Sequence, residues 1–100
     1  MIQDSYKADY GKDAWHLLPL QPIRMIVQVL TFGALKYAPD QWKEVPDAKN
    51  RYFSAMLRHI TAWWEGERTD RESGLHHLAH AGCCLIFLIW LDTSKADNGN

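Results

Sequence analysis

Asp70-Arg71-Glu72-Ser73-Gly74-Leu75-His76-His77-Leu78-Ala79-His80-Ala81-Gly82-Cys83-Cys84-Leu85-Ile86-Phe87-Leu88-Ile89-Trp90-Leu91 is the stretch that decides the fold. It passes from polar and imidazole-rich to apolar without a proline, and it reads as one helix over about Arg71 to Leu91. Asp70 suits its N-cap and Glu72 its first turn, where a carboxylate complements the macrodipole. The wholly apolar part, Ala81 to Leu91, is about half of the roughly 20 residues needed to cross a bilayer, so a core or interface helix is expected and no membrane partner. The adjacent Cys83 and Cys84 match neither a CxxC pair nor a spaced zinc knuckle; as part of an apolar helical pattern they read as buried free thiols.

Upstream, Gly66-Glu67-Arg68-Thr69-Asp70 forms a short acidic turn. Before it, about Ala48 to Glu65 reads as a second helix with Asp47 or Asn50 as its cap. Its candidates for burial are Tyr52, Phe53, Met56, Leu57, Ile60, Trp63 and Trp64. His59 lies on the seam between Met56 and Trp63. Ala38 to Pro46 carries two prolines and little periodicity, hence a loop. A first helix runs from about Pro22, a residue suited to a first turn, to Tyr37. Ile23, Ile26, Val27, Leu30, Ala34 and Leu35 give it one apolar face, and Met25, Val29 and Phe32 a second. Residues 1–18 form an irregular N-terminal arm, 19–92 the helical domain and 93–100 a polar tail expected to fray. The fold class is therefore all-α, a three-helix unit. Helices apolar on nearly all sides leave hydrophobic surface uncovered, which predicts a homodimer or higher homo-oligomer.

Composition agrees with one small domain. The 100 residues are 47% hydrophobic and 23% charged, which excludes disorder. Eleven Lys+Arg against twelve Asp+Glu give a net charge of −1, with none of the basic footprint of a duplex nucleic-acid binder. The first residues lack the basic and apolar regions of a signal peptide, so a cytoplasmic location is expected. Five tryptophans and five histidines are conspicuous in so short a chain. Trp63, Trp64 and Trp90 follow helical periods and suit a core or an interface, whereas Trp15 and Trp42 fall outside helices and are free to line a pocket. His16 suggests no role.

Glu65, Glu67, Asp70, Glu72, Ser73, His76, His77 and His80 fall within sixteen residues. On one helix Glu72, His76 and His80 form a stripe and Ser73, His77 and His80 an adjacent one, with His59 meeting His80 across the bundle. Each residue taken singly also fits a cap, a dipole partner or a hydrogen-bonded helix crossing. Burying the whole set without a task would be costly. HExxH, ExxH, the HD dipeptide, GxGxxG, the P-loop and GxSxG are all absent. What remains is an acidic turn with imidazoles nearby: carboxylates suit Mg²⁺ beside substrate phosphates, and imidazoles suit phosphate binding or proton transfer.

The block Gly66-Glu67…Asp70…Glu72-Ser73-Gly74-Leu75-His76-His77-Leu78-Ala79-His80-Ala81…Cys83 resembles the phage-type dATP/dGTP diphosphohydrolase N-terminal family. So do Lys12 and Trp15 with Leu17-Leu18-Pro19, Leu30-Thr31-Phe32-Gly33-Ala34 with Lys36-Tyr37 and Trp42, and Arg58-His59 with Ala62-Trp63. The likeness covers roughly residues 12 to 91. His16, Gln41, Arg71 and Cys84 differ from the residues usual in the family at those positions, and the ExxE and ExxD pairs of MazG-type enzymes are not cleanly present.

The resemblance implies a fold similar to the all-α, MazG-type nucleotide pyrophosphohydrolases, built from more than one chain and using Mg²⁺ or Mn²⁺. It implies cleavage of a purine deoxynucleoside triphosphate to monophosphate and pyrophosphate. Glu67, Asp70 and Glu72 would hold the metal, which would clamp the phosphates and activate a water. Catalysis would fall to Glu72, His76 and His80, and substrate binding to Lys36, Tyr37, Trp42, Arg58, His59, Trp63 and His77. Two other classes are weighed against an enzyme: a non-catalytic protein sequestering a nucleotide in the same pocket, and a helical interaction module.

Overall fold

The computed structural model describes residue 8 and residues 10–97, with side chains described as far as Ser94. Three α-helices dominate: α1 (Leu20–Lys36), α2 (Ala48–Trp64) and α3 (His77–Asp97). Short 3-10 turns lie at Trp15–Leu17 and Gln41–Glu44. The all-α reading is thereby borne out. Helix α3 is the central element, packed along α2 and against α1, which meet mainly through it.

Local chemistry sets the boundaries. Pro19 occupies the N-cap of α1 and Pro22 its first turn; Pro39 disfavours helical backbone at Ala38 and helps end it. Asp47 stands at the start of α2 in left-handed backbone, φ 54°, and its Oδ1 accepts from Asn50 Nδ2 at 3.0 Å rather than from the helix backbone. The other end of α2 closes in a Schellman motif. Gly66 takes φ 106° and donates to Trp63 O at 3.0 Å, while Glu67 N reaches Ala62 O at 2.9 Å.

The third helix departs from expectation at both ends. It starts at His77, not Arg71. The Asp70 carboxylate does cap, but it caps a turn: Oδ2 accepts from Glu72 N at 3.0 Å and Ser73 N at 2.9 Å. Gly74 then turns into left-handed backbone at φ 73°, and Asp70 N donates to Leu75 O at 2.8 Å. A bridge from Thr69 to His76 and a bond from His77 N to Arg68 O at 2.9 Å close a small hairpin-like loop. The true helix cap is His76, whose Nδ1 accepts from Leu78 N at 3.0 Å. At the far end the helix continues past Leu91 to Asp97, and Thr93 folds its hydroxyl onto Ile89 O at 2.9 Å. Its 21 residues therefore exceed the apolar run, and the window His77–Ser94 is long and apolar enough to cross a membrane by length and composition. Its small residues Ala79, Ala81, Cys83 and Cys84 are buried.

Val29, Ala79 and Cys83 are buried at the centre, with Met25, Ile26, Leu30, Leu75 and Phe87 around them. Helix α1 thus draws on both of its apolar faces. Small residues on α3 permit close approach: a Cβ on Gly82 would stand 2.8 Å from Ile26 Cδ1. Cys83 and Cys84 are buried free thiols, as expected. Burial raises the Cys83 thiol to about 12 and the Cys84 thiol to about 11. The core is only half built. Among the described residues no large side chain is fully buried, and Phe53, Leu57, Trp63 and Trp64, expected inside, are exposed.

Candidate active site

The loop between α2 and α3 delivers the polar groups to the point where those helices meet. From α2 comes His59; from the first turn of α3 come His77 and His80. The His59 ring stacks on His80 with centroids 4.5 Å apart and 10° between planes, the cross-bundle meeting anticipated from the sequence. His59 Nδ1 also lies 2.8 Å from His77 Nδ1, while His77 Nε2 lies 2.6 Å from Glu67 Oε1. A carboxylate only accepts, so His77 Nε2 carries the proton. With Nε2 protonated and Nδ1 a lone pair on His77, the 2.8 Å contact assigns the proton between the rings to His59 Nδ1. A chain Glu67, His77, His59 follows, with the outer Nε2 of His59 left as a lone pair.

Electrostatics favour neutral His59 and His80. Burial, then the proximity of His80 and His77, lowers His59 to about 4. Burial also lowers His80, against the pull of Asp70. The hydrogen bond from His77 lowers Glu67 despite some desolvation. Burial works to raise Asp70, yet its bonds to Ser73 and the neighbouring His80 outweigh it and leave the carboxyl below its usual range. The second imidazole, His80, meets Ser73 Oγ at 2.7 Å through Nε2. Ser73 Oγ accepts in turn from Leu75 N at 3.1 Å, so the loop backbone orients the hydroxyl.

Beside this cluster opens a groove of about 1190 Å³ lined from all three helices and the α1–α2 loop. Lys36, Tyr37, Trp42, Arg58, His59, Asp70, Glu72 and His80 all line it. Lys36 Nζ donates to Glu72 Oε2 at 2.6 Å, a bond that raises the lysine's pKa. Trp42 stacks on Phe87, centroids 4.2 Å apart and 10° between planes, and meets Trp90 edge-on at 5.0 Å. Tyr52 fixes that loop by donating its hydroxyl to Trp42 O at 2.7 Å.

The residues singled out from the sequence thus separate. His77 stands behind the groove wall as the link between Glu67 and His59. His76 is spent on capping α3, and Trp63 faces Trp64 at 6.1 Å away from the groove. Because the helix starts late, Glu72 leaves the expected stripe with His76 and His80 and pairs with Lys36. Glu67, Asp70 and Glu72 do not converge on one point: Glu67 is held by His77 and by Arg71 Nε at 3.1 Å, and Glu72 by Lys36. Phe87 is a lining residue that the sequence did not single out. Its position seven after His80 placed it on the same helix face, but only the loop carrying Trp42 turns that face into a groove.

Residues 3–99 match the family described as dATP/dGTP diphosphohydrolase, N-terminal. The chain belongs to this family. Within the dATP/dGTP diphosphohydrolase N-terminal family, it is 33% identical over 85 residues to a dATP/dGTP diphosphohydrolase of Salmonella phage PMBT28. The match takes in 85% of this chain but 29% of that relative, so the chain spans under a third of its length. No solved structure matches.

Proposed function

We propose that this domain is a nucleotide pyrophosphohydrolase that cleaves dATP or dGTP to the monophosphate and pyrophosphate in the groove between its three helices, with a divalent metal. The observation that carries the reading is the layout of that groove. Cationic Lys36 and Arg58 stand beside a cluster of neutral imidazoles and carboxylates, and the Trp42–Phe87 stack lies further along it. On α3, His80 and Phe87 are seven residues apart, about 10 Å along the axis, which separates a phosphate end from a base end. The aromatic wall that Trp42 and Phe87 give the groove suits a purine, and the cations suit the triphosphate.

In this reading a bound metal supplies charge neutralisation at the phosphates and a more acidic water. Uncharged His80, held by Ser73, is placed to take a proton from the attacking water at neutral pH. Lys36 is released from Glu72 to the phosphates, which frees that carboxylate. The domain would work in the cytoplasm as a homo-oligomer, whose contacts cover the exposed apolar faces.

Incubating each dNTP with Mg²⁺, Mn²⁺ or Zn²⁺ and separating products by ion exchange tests the assignment. Pyrophosphate and monophosphate from the purine substrates are expected, and Lys36→Ala or Arg58→Ala should raise KM about tenfold or more. Saturable nucleotide binding with no turnover would make the protein a sequestering one, and neither binding nor turnover would leave an interaction module.

A further inference from the structure

We infer that His59, His77 and Asp70 form a metal centre, with Glu67 fixing His77 from behind, that takes a nitrogen-preferring divalent transition ion of the zinc, cobalt, iron or nickel class ahead of Mg²⁺. Among the described residues these three offer donor atoms all within 4.8 Å of one another. They come from three places in the chain, which only the tertiary fold brings together: mid-α2, the loop and the first residue of α3.

Four features make the set more than a chance cluster. Both imidazoles present Nδ1 inward, 2.8 Å apart. Two metal–nitrogen bonds of about 2.0–2.2 Å place their nitrogens about 3.0–3.4 Å apart, so a few tenths of an ångström of ring movement admits an ion. Glu67 accepts from His77 Nε2 at 2.6 Å, the carboxylate–imidazole relation that sets the tautomer and basicity of metal-ligating histidines. Asp70 spends Oδ2 on the loop amides, and no hydrogen bond among the described residues uses its Oδ1. Finally, three protein donors leave positions for water or a phosphate oxygen, as catalytic metal sites require.

Loading needs no net release of protons from the rings. The proton shared between the two Nδ1 atoms leaves His59 Nδ1, and His59 takes one up on Nε2, so both ligands bind as neutral imidazoles. Two nitrogens in a three-donor set disfavour Mg²⁺, which prefers oxygen and water.

The centre deepens the proposed reading of this groove, and metal binding measured without nucleotide keeps the two separable. Titration calorimetry of the 100-residue chain with ZnCl₂, CoCl₂ and MgCl₂ is expected to show one Zn²⁺ or Co²⁺ per chain, with Mg²⁺ at least 100-fold weaker. His59→Ala and His77→Ala should each weaken Zn²⁺ by tenfold or more, Glu67→Gln by about 10–100-fold, and Glu72→Gln not at all. Should the histidine variants fail to fold, X-ray absorption of the Zn²⁺-loaded native chain decides, with two imidazoles expected in the coordination shell. An all-oxygen shell, Zn²⁺ affinity unchanged in folded His77→Ala, or Mg²⁺ binding as tightly as Zn²⁺ would each overturn the proposal. Turnover with Mg²⁺ and no Zn²⁺ or Co²⁺ site would remove this centre and keep the hydrolase; a Zn²⁺ site without turnover would do the reverse.

Discussion

His59 is the residue whose surroundings have the clearest measurable consequence. Its folded pKa of about 4 lies below the ordinary 6.5, so as pH falls the unfolded chain takes the proton first. The stability it contributes is complete above about 6.5 and is lost as pH drops toward 4. Glu67 and Asp70, both lowered, act in the same direction in the carboxylate range. In EDTA, the Tm should fall steadily from pH 6.5 to 4, and His59→Gln should flatten the slope between those limits; an equal slope in both proteins would refute the assignment. The cysteines give a second check at this scale. With thiols raised to about 12 and 11, Cys83 and Cys84 should react with a disulfide reagent at pH 8 only on the timescale of opening, and at once in denaturant. Burial of both cysteines was legible from their neighbours, because a helical apolar run leaves little other place for them. The link from Glu67 to His77 was not: nine residues of loop lie between them, and the bond exists only because that loop folds back.

At the scale of elements, the 66–76 loop decides where chemistry can happen. A helix begun at Arg71 would point Glu72 along the His76–His80 stripe; the hairpin instead aims it at Lys36. Local propensity favoured the helix, since Asp70 and Glu72 suit a cap and a first turn. The outcome was set by Gly74 in left-handed backbone and by Asp70 accepting two turn amides, which outcompete a helical start. Gly74→Ala should therefore cost about 1 kcal/mol in denaturant unfolding; a neutral or stabilising result would show that the helical start is accessible. Gly82 makes the opposite demand, since its lack of a side chain serves contact rather than backbone. Gly82→Val would drive branches into Ile26, with Cβ itself 2.8 Å from Cδ1, and should destabilise by about 1–3 kcal/mol despite improved helix propensity.

At the scale of the whole molecule, large apolar side chains stay exposed. Leu85 and Ile89 are 50% and 56% exposed and lie four apart on α3, while Phe53 and Leu57 form a similar pair on α2. If the working form is a homo-oligomer, Leu85→Glu should convert it to a monomer by light scattering and lower the Tm by several degrees. In a true monomer the same surface change would stay within about 0.5 kcal/mol, so an unchanged mass and Tm would refute the assembly.

The helices, their approximate limits from Pro22 to Glu65 and the set of imidazoles and carboxylates came from sequence, because periodicity, prolines and caps act over a few residues. His59 meeting His80 was legible there too; the other meetings came from tertiary structure alone. His59 and Asp70 are eleven residues apart, and Lys36 and Glu72 thirty-six. Such pairings follow from how α2 lies on α3 and how one loop turns back, which no local pattern encodes.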